Sequence, residues 1–385
     1  MMKTQLEQDI RGWDSIVDHR TGTEGDNLTA EWLADEIRVA GVEPMIDTFP
    51  FTRRVLHECV VSVGSQRAEG VPLFDGGVTH SYGVTAPLTA LTNENSDQPI
   101  HGIGLVSFSS TGRHTSMQRM NISRSQSYDA IVAYAAADDI APGLALLNAP
   151  RYQDPFGCPV LQVSSEHGEW LEAATVHGES AHVVAHVTTE ETTATNVQAR
   201  IAGHDSSLAP LVIMTPRSAW WTCTAERAGG IAIWLACIRH LAAEPGDRDV
   251  IFTANTGHEL GHVGLEHYLH QHTELVRGAH AWIHLGANYA AVDSQVVYQA
   301  SPDLMQLGLD ALASAETTPE TVISAGTRPS GEAENIYDGG GRYLSLVGSN
   351  RWFHHPDDRW PHTIDMVRIA KIAEAVSNIA RTLAS

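Results

Sequence analysis

The chain has 385 residues, of which 43% are hydrophobic, and this length suggests two or three domains of roughly 150 residues each. Lysine plus arginine number 24 against 46 aspartates plus glutamates, so the formal net charge is −22. This charge argues against nucleic acid and anionic membranes as partners, because phosphate binding depends on a basic surface. The four cysteines have no C-x-x-C spacing, which argues against a disulfide framework or a zinc ribbon.

The first half of the chain changes character near residue 51. Residues 4–41 show the apolar spacing of two helices joined by a turn, and a strand is predicted at 44–49. Short β-like runs separated by Gly, Ser, Asn and Pro follow, which predicts a β-rich domain; the runs are 60–63, 104–107, 130–133, 144–147 and 159–163. Residues 188–195, TTEETTAT, are predicted to be a polar linker.

The second half alternates between strands and helices. Strands are predicted at 211–214, 249–254, 281–285 and 343–347, and helices at 229–241, 265–272, 304–315 and 364–382. This alternation is typical of βαβ units, so the predicted fold class is α/β, with a mixed, mostly parallel central sheet and helices on both faces.

One stretch, residues 251–268, carries the strongest functional signal. An apolar strand leads into Gly-His-Glu-Leu-Gly-His, which matches the H-E-x-x-H pattern of helical zinc sites. Glycines at 257, 261 and 264 argue against a helix, because each costs about 1 kcal/mol there. We therefore expect a loop at the carboxyl end of a strand, where α/β folds place their sites. A loop of solvated imidazoles is the alternative.

Several segments, in this order, resemble the di-zinc aminopeptidase family, which includes glutamate-carboxypeptidase-, glutaminyl-cyclase- and transferrin-receptor-type members. They are RTGTEG at 20–25, AGVEP at 40–44, ATNVQARIAG at 194–203 and FHHPDD at 353–358. Two more, YDAIV at 128–132 and CPVLQV at 158–163, resemble the protease-associated domain often inserted in that family. The resemblance implies a catalytic α/β domain of residues 1–50 and 194–385, and an inserted protease-associated-like domain of residues 51–193.

The resemblance also implies a reduced metal site. The family holds two zinc ions with five residues, and the positions of two of these ligands carry Pro216 (or Ser218) and Gly286 here. The positions that hold the other ion carry Glu226, Glu259 and His354. We therefore expect one zinc ion, or another divalent transition metal, with an open position for water.

Other residues are assigned roles around that ion. His258 stands where the family has its Glu base and is expected to accept the proton. Arg217 and Arg227 are candidates for holding a carboxylate or an oxyanion. Asp358 is expected to accept the second ring N–H of His354. Further candidates for ligands or for groups facing the site are His262, His284, Glu332 and Glu334.

These inferences predict a metal-dependent hydrolase of amide or peptide bonds in a small molecule or short peptide. A non-catalytic binding or scaffold relative without metal, and a hydrolase or lyase with an atypical substrate in a rebuilt His-rich site, remain alternatives. The N-terminus lacks the apolar core of a signal peptide, and no apolar run approaches the ~20 residues of a membrane span. A cytoplasmic protein is therefore expected, and a homo-oligomer is left open.

Overall fold

The computed structural model describes residues 2–91, 101–108, 113–125, 128–136 and 140–385. The strands are β1 (Pro44–Val63), β2 (Gln66–Pro72), β3 (Val84–Ala90), β4 (Ile103–Phe108), β5 (Ala130–Ala135), β6 (Val160–Val163), β7 (Ser180–Ile201), β8 (Leu211–Pro216), β9 (Val250–Asn255), β10 (Ala281–Leu285), β11 (Val297–Ala300), β12 (Thr321–Val322) and β13 (Tyr343–Val347). The helices are α1 (Met2–Asp14), α2 (Glu24–Val39), α3 (Arg113–Ser125), α4 (Gly168–His177), α5 (Gly229–Ala243), α6 (Val263–Gln271), α7 (Leu275–Gly278), α8 (Met305–Ser314), α9 (Ala333–Asp338) and α10 (Met366–Ala384).

The main sheet is mixed and runs in the order β1-β7-β9-β8-β10-β13-β11-β12. Its four central strands, β9, β8, β10 and β13, are parallel, whereas the pairs β1–β7, β7–β9 and β11–β13 are antiparallel. The predicted α/β class and its mixed sheet are confirmed. The bounds of β10 and β13 coincide with the predicted strands.

Helices cover both faces of this sheet, because successive side chains of each central strand point to opposite faces. Leu211 and Ile213 of β8 face the core formed with α1, α5 and α10. Val212 and Met214 face the opposite core, which includes residues of α6, α7 and α9. Strands buried on both faces read as continuous apolar runs, and this is why the sequence pattern locates them well.

A second sheet closes on itself in the order β1-β2-β6-β5-β4-β3-β7, with β7 pairing back to β1. It encloses its own apolar core, which includes Val61, Leu88, Val132 and Val183. The predicted domain boundaries fall inside β1 and β7, which run through both sheets as one long antiparallel ribbon. Parts of the predicted insertion, residues 92–100, 109–112, 126–127 and 137–139, lie outside the described residues.

Two predicted elements differ in the structure. Residues 188–195, predicted as a linker, belong to β7 and pair with residues 48–55 of β1. The β-branched threonines that suggested a polar linker also favour an extended, paired backbone. Residues 144–147, predicted as a strand, form an irregular segment instead. Its backbone binds other groups: the Leu147 N–H donates to Oε1 of Gln162 at 2.6 Å.

Candidate active site

The stretch predicted to carry the site leaves the sheet at the end of β9. Gly257 has a φ of +77° and is followed by a short 3₁₀ turn over residues 258–260. Gly261 and His262 are also left-handed, so α6 begins only at Val263. A Cβ atom on Gly257 would lie 2.1 Å from Cγ2 of Val263, so glycine is required there. As the glycines indicated, the H-E-x-x-H pattern is not helical here.

Glu226 is positioned by a π-helical turn, Thr224–Ala228, that leads into α5. Such turns are rare and occur frequently at functional sites. The carboxylate of Asp358 accepts the backbone N–H groups of Ala225 at 2.9 Å and of Glu226 at 3.0 Å. Asp358 thus fixes the turn that carries Glu226.

His354 approaches the same turn from the loop before α10. It has a φ of +60°, which is uncommon for a residue with a side chain. Its Nδ1–H donates to the carbonyl oxygen of Leu146 at 2.7 Å. The backbone carbonyl oxygen of His354 accepts the Nε1–H of Trp221 at 3.1 Å. The partner of Nδ1 is therefore the irregular segment 144–147, where the sequence had predicted the carboxylate of Asp358.

The three residues expected to bind zinc do meet, but around a guanidinium. Nη2 of Arg227 lies 2.8 Å from Oε1 of Glu226 and 2.7 Å from Oε1 of Glu259. Nε2 of His354 lies 3.3 Å from the same oxygen of Glu226. All four side chains are almost completely buried. Arg227 also donates from Nε to the carbonyl oxygen of Ser218 at 2.8 Å.

The positive charge of Arg227 determines the ionisation of both carboxylates. Burial alone would raise the pKa of Glu226, but Arg227, and after it His354, hold that pKa at about 2. Glu259 follows the same pattern: Arg227 and His258 outweigh burial and lower its pKa. Hydrogen bonding contributes as well, since the Ser218 hydroxyl donates to Oε2 of Glu259 at 2.6 Å. Both groups are therefore ionised at neutral pH, and each already has the positively charged Arg227 as a partner.

This arrangement does not fit a zinc ion. Zinc needs ligand atoms at about 2.0–2.2 Å around a common point. The space between the two carboxylate oxygens is instead taken by a nitrogen that carries its own positive charge. Within the described residues, no group of three or more His, Cys, Asp or Glu side chains is placed to hold a metal ion.

Arg217, the other arginine candidate, forms its contacts with α2 and β7. Its Nη1 forms an ion pair with Oδ1 of Asp26 at 2.9 Å, and its Nε donates to the carbonyl oxygen of Thr195 at 3.0 Å. All of these groups are buried. Arg217 therefore joins α2 to β7, and its donors are engaged within the protein.

A cavity of about 500 Å³ opens beside the carboxylate site, and three imidazoles line it: His258, His262 and His284. The rings of His258 and His262 stack with their centroids 4.9 Å apart. Nδ1 of His262 lies 2.9 Å from Oδ1 of Asn335, and Nδ1 of His284 lies 2.8 Å from the Ser345 hydroxyl. The sequence named all three residues, and the structure brings them to one cavity.

These imidazoles are neutral near pH 7. Burial, followed by the charge of Arg227, lowers the pKa of His258 to about 3. Burial also lowers the pKa of His262, and that of His284 falls well below its ordinary value for the same reason. Nε2 of His284 is buried without a hydrogen-bond partner among the described residues. Each neutral ring has one N–H donor and one acceptor nitrogen, so these imidazoles can bind both acceptors and donors of a ligand.

Glu332, a minor candidate in the sequence analysis, lies behind His258 at this cavity. Its Oε1 lies 3.4 Å from Nδ1 of His258, and its side chain is inaccessible to solvent. Burial raises the pKa of Glu332 to about 7, against smaller lowering effects of His262 and Arg227. Its other oxygen, Oε2, has no hydrogen-bond partner in the described part of the chain.

Hydrogen-bond donors on other walls of the cavity were not found by sequence reasoning. Asn148, Asn288 and Arg351 line it, and Asn148 accepts from Nε1 of Trp220 at 3.3 Å through its carbonyl oxygen. The amide NH₂ of Asn148 is therefore directed elsewhere than to Trp220. Asn and Arg in irregular loops carry no spacing pattern, so the sequence offered no signal for these positions.

Comparison with known proteins relates the chain by its fold. No family model and no curated protein sequence matches it. BSAP, a zinc aminopeptidase from Bacillus subtilis, superposes with a TM-score of 0.78 at 16% identity over 98% of this chain and 94% of that one. The aminopeptidase from Aneurinibacillus sp. strain AM-1 superposes with a TM-score of 0.74 at 16% identity, over 99% of this chain and 93% of that one. A peptidase M28 precursor from Shewanella amazonensis superposes with a TM-score of 0.75 at 15% identity, over 100% of this chain and 97% of that one.

These matches cover nearly the whole length of each chain. The protein therefore has the fold of the zinc aminopeptidases and M28 peptidases, as the sequence resemblance indicated. In the described residues, no helix combines the length and apolar character needed to cross a bilayer.

Proposed function

We propose that the protein is a hydrolase of an amide or peptide bond in a small substrate, which it binds in the cavity lined by His258, His262 and His284. The observation that carries the proposal is this cavity itself, since three neutral imidazoles line it and one of them, His258, lies 3.4 Å from the buried carboxyl group of Glu332, whose pKa is raised. Clustered groups with perturbed pKa values in a cleft are a mark of catalytic sites. The aminopeptidase-like fold supports the choice of bond.

The proposed chemistry uses His258 and Glu332 as one proton-handling pair. With Nδ1 donating toward Glu332, Nε2 of His258 would face a water molecule as an acceptor. Because the pKa of His258 is about 3, the imidazole is a poor final holder of a proton. The carboxylate of Glu332, with a pKa of about 7, is a better one. Water would add to the carbonyl carbon, its proton would pass to this pair, and the pair would return a proton to the departing amine.

The substrate would be small and would carry acceptor oxygens. A volume of about 500 Å³ lies in the ordinary range of small-molecule sites. Arg351 and the amides of Asn148 and Asn288 line the cavity and would bind a carboxylate or carbonyl oxygen of the substrate. A short peptide or an acylated amino acid fits this description.

A substrate screen tests the proposal. Purified protein is incubated with dipeptides, aminoacyl amides and N-acyl amino acids, and products are followed by mass spectrometry. We expect turnover of at least one class, reduced in both His258→Gln and Glu332→Gln, and unchanged in His177→Gln, a control on an exposed histidine of α4. Turnover that all variants share with the wild type would place the chemistry elsewhere.

A second candidate is a binding protein without catalytic activity. The observation that favours it is the pairing of Glu226 and Glu259 with the same guanidinium, that of Arg227, which argues against the metal-centred chemistry that the fold resemblance implies. Under this alternative, compounds from the same screen would bind to the cavity, as measured by calorimetry, and would be recovered intact.

A further inference from the structure

We propose that the guanidinium of Arg227 is the resident cation of this site, in place of a metal ion, and that it holds Glu226 and Glu259 together in the wild-type protein. This inference concerns the carboxylate site and does not depend on whether the neighbouring cavity catalyses a reaction.

The first argument is geometric. A single nitrogen, Nη2, lies 2.8 Å from Glu226 and 2.7 Å from Glu259, so it occupies the space between the two carboxylates. The neighbouring nitrogen Nε is fixed by the carbonyl oxygen of Ser218 at 2.8 Å. The planar guanidinium is therefore held at two positions, and its place between the carboxylates is determined by the fold.

The second argument is electrostatic. Two buried carboxylates are costly unless a positive charge compensates them, and the side chains of Glu226 and Glu259 are only 0% and 3% exposed. An arginine keeps its charge at every physiological pH, and a single nitrogen of Arg227, Nη2, contacts both carboxylates. A divalent ion added at the same place would meet the guanidinium at contact distance and would be repelled by it.

A metal ion also has no free path to this place. The side chain of Arg227 has no solvent-exposed surface, and it begins at the π-helical turn that Asp358 fixes. To make room for a metal, the guanidinium would have to leave its carboxylates while still inside the buried interior. Such a move leaves one buried charge unpaired and is strongly unfavourable.

This cation also positions the residue proposed for catalysis. Glu259, held by Arg227, accepts from the Ser218 hydroxyl at 2.6 Å. The same hydroxyl oxygen accepts the backbone N–H of His258 at 3.0 Å. Arg227 therefore acts as a positioning residue for the turn that presents His258 to the cavity.

Zinc binding tests this inference directly. The full chain is treated with a chelator, desalted and titrated with zinc chloride, with calorimetry and elemental analysis as readouts. We expect the wild type to bind no zinc that depends on Glu226 or His354. Arg227→Ser should gain one zinc equivalent, with an affinity at least about a hundredfold above the wild type, because it vacates a site of two carboxylates and an imidazole.

Two matched variants make the result specific. Arg227→Lys keeps a positive charge at this position and should gain no zinc. Adding Glu226→Gln or His354→Ala to Arg227→Ser should abolish the gained binding. Zinc bound by the wild type that survives Glu226→Gln and His354→Ala lies at another place, such as the imidazole cavity, and agrees with the inference.

Stoichiometric zinc in the wild type that Glu226→Gln removes would overturn the inference. So would a correctly folded Arg227→Ser that gains no affinity. If Arg227→Ser does not fold, the wild-type and Glu226→Gln titrations still decide the matter. Absence of turnover in the substrate screen would count against the proposed hydrolase and would leave these titrations unaffected.

Discussion

Oε1 of Glu332 lies 3.4 Å from Nδ1 of His258, and this pair of buried side chains joins the loop before α9 to the turn after β9. The Glu332 side chain has no solvent-accessible surface, and that of His258 is only 10% exposed, at the cavity. The ionisation of one therefore depends on the other, and their behaviour can be measured through stability and through activity.

The first prediction concerns the pH dependence of stability. The pKa of Glu332 is raised from 4.5 to about 7 in the folded protein, so the folded state retains a proton that the unfolded state has released. The stabilisation from this group is fully present below about pH 4.5 and is lost as the pH rises through about 7, a change of up to about 3 kcal/mol. Glu332→Gln should therefore gain stability relative to the wild type between pH 5 and pH 8.

Urea unfolding of both proteins at pH 5 and pH 8 measures this difference. Glu169→Gln, on the exposed face of α4, is the control and should show no pH-dependent difference from the wild type. An equal difference between Glu332→Gln and the wild type at both pH values would contradict the raised pKa.

The second prediction concerns activity. His258→Gln preserves approximate size but cannot pass a proton, so kcat/KM for any substrate found in the screen should fall by about 10²–10⁴-fold. The melting temperature should change little. His177→Gln should keep full activity, and a loss below about threefold in His258→Gln would assign proton transfer to another group.

The third prediction concerns the buried charge of Arg227. Arg227→Met removes the shared partner of Glu226 and Glu259 and should lower the free energy of unfolding by about 3–5 kcal/mol. The control is Arg67→Met, which breaks an exposed pair with Glu58 and should cost less than about 1 kcal/mol. Chemical denaturation in metal-free buffer measures both, and similar small losses would show that Arg227 is not needed to hold the carboxylates.

The fourth prediction concerns Ser218, the link between Glu259 and the His258 turn. Ser218→Ala leaves an oxygen of Glu259 and the backbone N–H of His258 without this partner, so stability should fall by about 1–3 kcal/mol. As a positioning residue, it should affect kcat more than KM. Ser207→Ala, in an exposed turn, is the control. If Ser218→Ala has the same stability and the same kcat as Ser207→Ala, the link between Glu259 and the His258 turn is contradicted.

The sequence predicted the elements whose burial pattern is uniform. Strands β10 and β13 are buried on both faces and mostly apolar, so their near-continuous apolar runs predicted the observed bounds. The error at residues 188–195 has the opposite origin. This part of β7 is polar and largely exposed, yet it is paired along its length with β1, and backbone pairing leaves no mark on side-chain polarity.

The candidate site shows the same limit at the level of single residues. Arg217 and Arg227 were equivalent candidates in the sequence. In the structure the side chain of Arg217 pairs with Asp26 of α2, whereas that of Arg227 lies between two carboxylates. The direction of Arg227 is set by the π-helical turn, which no periodicity predicts. The burial of Glu332, which gives that residue its raised pKa, likewise depends on packing between distant segments.

The ribbon of β1 and β7 has a consequence for how the chain is made. Residue 63 must find residue 181, and residue 44 must find residue 199, before either sheet is complete. Pairing over such separations is slow because a long loop must close first. During synthesis β1 is therefore made well before β7, and the ribbon can form only after all the residues between the two strands have been added.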